Sequence, residues 1–142
     1  MFQKSILAAL AGTMILSACS VTQPPLKTVK QVELERFMGD WYVLAFIPID
    51  FPFFSEADAH DAVERYEQDA EGGIDVTYTF RDGSFDAPKT VMTQRGWVHD
   101  RERGTEWRVQ LLWPFRSAYL IAWLDDDYQR AIVGVPSRSN VW

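Results

Sequence analysis

The sequence predicts an all-β domain folded as an eight-stranded up-and-down antiparallel barrel, and three observations carry the prediction. From Gly39 onward, apolar residues recur with period two and are rich in β-branched and aromatic types. Turn signals at Gly72-Gly73, Asp82-Gly83, Arg103-Gly104, Pro114 and Asp125-Asp126-Asp127 divide the chain at the spacing of consecutive hairpins. Short links make sequence neighbours into sheet neighbours, and eight such strands can close and remove their own edges. A flattened sandwich is the competing architecture.

Residues 1–18 stand apart from this pattern. Lys4 precedes a short apolar run from Ile6 to Leu16, followed by Ser17 and Ala18, which is the layout of a secretory signal. The run is too short for a permanent span, which needs about 20 apolar residues. Leu16-Ser17-Ala18-Cys19 resembles the bacterial lipobox, so Cys19 is expected to be acylated and to become the mature N-terminus as a membrane anchor. An ordinary cleaved signal with an incidental Cys is the alternative. Because Cys19 is the sole cysteine, no intrachain disulfide is possible and packing must hold the domain together. Residues 19–31, with Pro24-Pro25, read as a flexible tether. Residues 32–142 form the domain, long enough for one core and too short for two. A formal net charge of −6 gives no support to nucleic acid or to anionic headgroups as partners.

Within the domain, Leu34 and Phe37 are three apart on a segment able to make a short helix capping one barrel end. On the first strand Trp41, Val43, Ala45 and Ile47 share a face, and Pro48 ends its hydrogen-bonded part. The second strand spans 61–67. The third alternates most cleanly: Ile74, Val76, Tyr78 and Phe80 form the buried face, opposite Asp75, Thr77, Thr79 and Arg81. Strands four to seven are expected at 90–98, 105–113, 117–124 and 129–135. Asn140-Val141-Trp142 begins an eighth, incomplete in this chain. The stripes Trp107, Val109, Leu111, Trp113 and Tyr119, Ile121, Trp123 suit either a core or a cavity wall, and pattern alone leaves open which face points inward.

Particular residues then suggest a family. Gly39-Asp40-Trp41-Tyr42 resembles the first signature of the lipocalins, and Asp126-Asp127-Tyr128 is similar to the second, with Asp126 in place of Thr. Val133-Gly134-Val135-Pro136-Ser137-Arg138 followed by Trp142 resembles the last turn and strand of the bacterial outer-membrane branch. Trp113-Pro114-Phe115 is similar to that branch's turn between the fifth and sixth strands. The likeness covers nearly everything after Phe37. It lacks the third signature, an Arg just beyond the last strand's Trp, so the chain reads as C-terminally truncated.

The resemblance implies structural roles for Gly39, Trp41, Asp127, Tyr128 and Arg138, with Trp41 plugging the closed end beneath the absent Arg. It implies a cavity for a small hydrophobic or amphipathic ligand, such as a fatty acid or lysophospholipid, walled by Val43, Ala45 and Ile47. Phe51, Phe53 and Phe54 would form a lid over the open mouth, or fold inward and fill it. The expected place is the outer membrane, facing the periplasm, with the acyl anchor as the membrane contact and no cofactor.

Catalysis finds little support. His60 and His99 lack a nucleophile-elbow partner, no His or Cys pair has metal-ligand spacing, and no phosphate loop is present. Asp125-Asp126-Asp127 lacks the spacing of a calcium loop and reads as a turn. An envelope interaction protein with a solid barrel is one alternative. A lipocalin-fold enzyme, marked by a polar cluster facing a deep pocket and tested at His60, is another.

Overall fold

The structure, a computed structural model, describes residues 25–51, 54–138 and 140–141. The expectations for the signal segment, Cys19 and Phe53 lie outside the described residues, as do those for the side chains of Phe51, Phe54 and Arg138.

A one-turn helix, α1 (Leu34–Phe37), leads into β1 (Gly39–Tyr42). The short strands β2 (Asp50–Phe51) and β3 (Phe54–Ser55) pair with each other in the long link that follows. Then come β4 (Ala59–Gln68), β5 (Gly73–Asp82), β6 (Lys89–Val98), β7 (Glu106–Gln110), β8 (Ser117–Leu124) and β9 (Ala131–Val135). A 3-10 turn (Pro136–Arg138) joins β9 to β10 (Asn140–Val141). All but β2 and β3 belong to one eight-stranded sheet in the order β1-β4-β5-β6-β7-β8-β9-β10, and each ladder is antiparallel. This is the predicted all-β lipocalin-type meander, with β1 at one edge and β10 at the other.

Antiparallel progression sorts the connections. The links 43–58, 83–88 and 111–116 lie at one end, the open end. The turns 69–72, 99–105 and 125–130 lie at the other with α1, the closed end. Two bulges bend the sheet: β4 gains a residue between His60 and Val63, where Asp61 takes φ 50°, and β8 gains one between Ile121 and Trp123.

The bulge in β8 decides a question that alternation left open. Tyr119 and Ile121 point inward, but the extra residue reverses the phase, so Trp123 turns outward and is 46% exposed. On β7, Trp107 and Val109 face inward; the strand ends at Gln110, and Trp113 is 85% exposed on the following link. β5 follows the simple rule, with Ile74, Val76, Tyr78 and Phe80 all buried.

The interior holds two apolar clusters. The larger, at the closed end, packs Phe37, Tyr66, Ile74, Val76, Trp107, Val109, Tyr119, Ile121, Val133 and Val135, together with Val32. The smaller, towards the open end, joins Ala62, Tyr78 and Phe80 with Val43, Ala59 and Met92 at its margin. Each large apolar side chain so buried contributes about 1.5–3 kcal/mol.

Candidate ligand-binding site

Gly39 begins β1 at φ +114°, a conformation open to glycine, and this lets the chain turn sharply from α1 into the strand. Trp41 therefore returns over the helix. Its ring stacks on Phe37 at 4.7 Å, and its indole Nε1 donates to the Phe37 carbonyl at 2.8 Å. Phe37 in turn meets Tyr66 at 5.4 Å and the edge of Trp107 at 5.5 Å, forming the plug of the closed end.

A second tie at this end runs through Tyr128, which sits at φ 57°. Its hydroxyl accepts from the Glu33 backbone N–H at 2.8 Å, and the Arg36 guanidinium lies 4.0 Å over its ring. Arg36 also donates to the Asp126 carbonyl at 3.0 Å. The turn itself is organised by Asp125, whose carboxylate accepts from the backbone N–H groups of Gln129 at 2.7 Å and Arg130 at 3.0 Å. The Arg130 N–H above all, with that of Gln129, holds the Asp125 carboxyl below its ordinary range against the opposing effect of desolvation. Asp127 is exposed and contributes its carbonyl to Gln129. Arg36 and Asp125 carry no signature of their own, and the helix and turn they stabilise were the only signal for them.

Between β1 and β9 the sheet leaves an open cleft of about 730 Å³. Its walls are Trp41, Val43, Leu44 and Ala45 on one side and Ala131, Ile132 and Val133 on the other, with Glu64 and Tyr66 at its floor. Arg36, Asp40, Gln129 and Arg130 stand at the closed-end rim. Val43 and Ala45 are among the residues that line this cleft; Ile47 is not, and it is 55% exposed. Among the described residues β10 pairs with β9 at Val135 and Gly134.

The floor is polar. Tyr119 donates to Glu64 Oε2 at 3.3 Å, and its hydroxyl is also hydrogen-bonded to that of Tyr66. Burial first, then the charge of Glu64, pushes the Tyr66 phenol well above its ordinary value. Tyr78 is raised by burial and by the charges of Glu56 and Glu64. These phenols are therefore neutral at neutral pH and offer hydrogen bonds rather than charge. Glu56, also buried, accepts from the Ile49 backbone N–H at 2.9 Å and pins the link at the open end. His60 lies beside Phe85, ring centroids 4.8 Å apart, away from this floor. Among the described residues no group of three His, Cys, Asp or Glu side chains is placed to hold a metal.

The family model of the lipocalin-like domain matches residues 32–142, the same stretch that forms the sheet. The chain belongs to the lipocalin family. Lipocalins typically are non-enzymatic proteins that bind small hydrophobic ligands in the barrel. This lipocalin is 26% identical over 132 residues to temperature-induced lipocalin-1 of Arabidopsis thaliana, a match covering 82% of the chain and 64% of that relative. The chain thus spans less than two thirds of the length of the relative it matches.

Proposed function

We propose that this lipocalin binds a single-chain amphipathic lipid, such as a fatty acid or lysophospholipid, for storage or transport in the cell envelope. Acylated Cys19 would hold it at the outer membrane, facing the periplasm. The observation that carries the binding is the cleft: apolar walls leading to a polar floor, in a volume of the size that ligand sites have. A second feature supports work beside a lipid surface. The open-end links expose Leu44, Phe85, Leu112, Trp113 and Phe115, an apolar rim through which a lipid tail can pass without crossing bare water.

Binding is tested by titrating the purified protein with the neutral probe Nile red and by mass spectrometry of copurified lipid. Saturable binding is expected, weakened roughly tenfold by Ala45→Arg, which places a long cation on the cleft wall. Absence of both probe binding and copurified lipid would remove the proposal. The anchor has its own test: Cys19→Ser should lose the acyl mass from the mature N-terminus and leave the membrane fraction, and an unmodified wild-type N-terminus would refute anchoring.

A lipocalin-fold enzyme is the second reading, favoured by one observation, the buried Glu64 and Tyr66 lining the cleft, with Tyr119 hydrogen-bonded to both. Turnover of a lipid ester abolished by Glu64→Gln would establish it.

A further inference from the structure

Hairpin tips that face water are normally built from Gly, Asn, Asp, Ser and Pro, which suit turn geometry and stay hydrated. The link between β7 and β8 departs from this. It carries Leu112-Trp113-Pro114-Phe115-Arg116, and all five residues are exposed, Leu112 by 56% and Phe115 by 75%. The Phe115 N–H donates to the Leu112 carbonyl at 2.9 Å, which closes the turn with its apolar side chains in water. The other links of the same end share the character: Phe85 is exposed between β5 and β6, and Leu44 after β1. The closed-end turns 69–72, 99–105 and 125–130 differ, with no exposed large apolar side chain among the described residues. The molecule thus has one apolar end and one polar end.

Exposed apolar groups gathered at one end mark a protein or a membrane contact. A protein partner requires one solid complementary surface, whereas these side chains project from three separate links. A fluid bilayer interface takes each tip on its own. Trp, Phe and Leu beside a cation are also the residues that settle at the headgroup level, ring and stem inward and polar tip in water. Arg116 directly follows Phe115; its guanidinium lies 4.0 Å over the Trp97 ring, and among the described residues no carboxylate pairs with it. It is therefore placed to meet a lipid phosphate beside the inserted tip. Asp50, Asp58 and Asp86 stand on the other two links, and the chain's formal charge is −6. Apolar insertion, not attraction to anionic lipid, must then carry the contact.

We propose that the turn 112–116, with Phe85 and Leu44 of the neighbouring links, is a docking surface that seats the open end on a zwitterionic bilayer interface. The contact is separate from the acyl anchor at Cys19 and independent of what occupies the cleft. A tether at one point leaves the barrel free to turn. The open-end contact fixes which end meets the lipid, and two weak membrane signals acting together hold what one does not.

The test is flotation of the full chain carrying Cys19→Ser, which lacks the thiol that acylation needs, with vesicles of phosphatidylcholine alone or mixed with phosphatidylglycerol. Flotation on phosphatidylcholine is expected, unchanged in high salt and no stronger with phosphatidylglycerol. Trp113→Ser combined with Phe115→Ser should lower the bound fraction roughly tenfold, with circular dichroism and Nile red binding unaltered. Brominated acyl chains should quench the parent's fluorescence, and Trp113→Phe should lose most of that quenching; this single variant keeps the proposal testable if the double one does not fold. Absence of flotation, equal flotation of the double variant, or flotation that needs phosphatidylglycerol and disappears in salt overturns the docking surface. So does self-association through the same residues without lipid binding, which would assign the surface to a second copy. Nile red binding reports on the cleft separately, so loss of docking leaves the ligand-binding reading standing.

Discussion

Trp107 and Trp113 belong to one stripe in the sequence yet have opposite fates. Trp107 is fully buried, donates from Nε1 to the Gly104 carbonyl at 2.9 Å and stacks on Tyr119 at 5.6 Å. Trp107→Ala should therefore destabilise by about 3–5 kcal/mol in urea unfolding, whereas Trp113→Ala should stay within about 0.5 kcal/mol of wild type. Gly104 has φ +70°, and a Cβ there would meet the Val32 carbonyl oxygen at 2.8 Å. Gly104→Ala is thus strained twice, with about 1–3 kcal/mol for the backbone alone, visible as a lowered denaturation midpoint. The buried phenols set the alkaline limit. Tyr66 and Tyr78 have folded-state values raised above the ordinary one near 10. Their contribution is fully present below pH 10 and is lost as pH rises through the folded values. Phenolate absorbance should therefore show these two ionising only with unfolding, and Tyr66→Phe with Tyr78→Phe should flatten the fall of stability above pH 10. Simple reversible titration of all five tyrosines near pH 10 would contradict the burial.

At the scale of elements, β5 shows how far alternation reaches: its buried face follows from period two because it is regular along its whole length and its two neighbours make long ladders with it. β8 shows where alternation stops. One inserted residue at the bulge moves Trp123 off the face it would share with Tyr119 and Ile121, and no sequence signal marks that insertion. β1 is shorter than its apolar pattern suggests, ending at Tyr42, because beyond it the chain keeps only the Val43 N–H bond to the Ala62 carbonyl before departing. The short β1–β4 ladder is tied by the cross-strand pair Asp40 and Arg65, at 2.5 and 2.8 Å. The Arg65 hydrogen bonds hold the Asp40 carboxyl below its ordinary range, so what the pair contributes is present above the unfolded carboxylate value and fades as pH falls through the folded one. Both side chains are largely exposed, so Asp40→Asn should produce only a slight flattening of the acid limb of stability, smaller in high salt.

For the whole molecule, a ligand that binds only the folded lipocalin stabilises it by mass action, about 2.7 kcal/mol at a hundredfold excess over Kd. Thermal unfolding in the presence of a bound amphipath should therefore move upward with ligand concentration, and a midpoint independent of concentration would argue against occupancy of the folded barrel. The sequence by itself determined the strand order, the meander, the buried face of β5, the glycine opening β1 and the family, because these depend on residue type at short spacing. Tertiary structure alone decided the placement of Phe37 as the closed-end plug, the role of Asp125, the outward turn of Trp123 and the polar layer of Glu64, Tyr78 and Gln94. Glu64, Tyr78 and Gln94 lie on three different strands, and each alone reads as an ordinary residue. Curling the sheet brings them onto one inner face away from water, which a chain read residue by residue does not disclose.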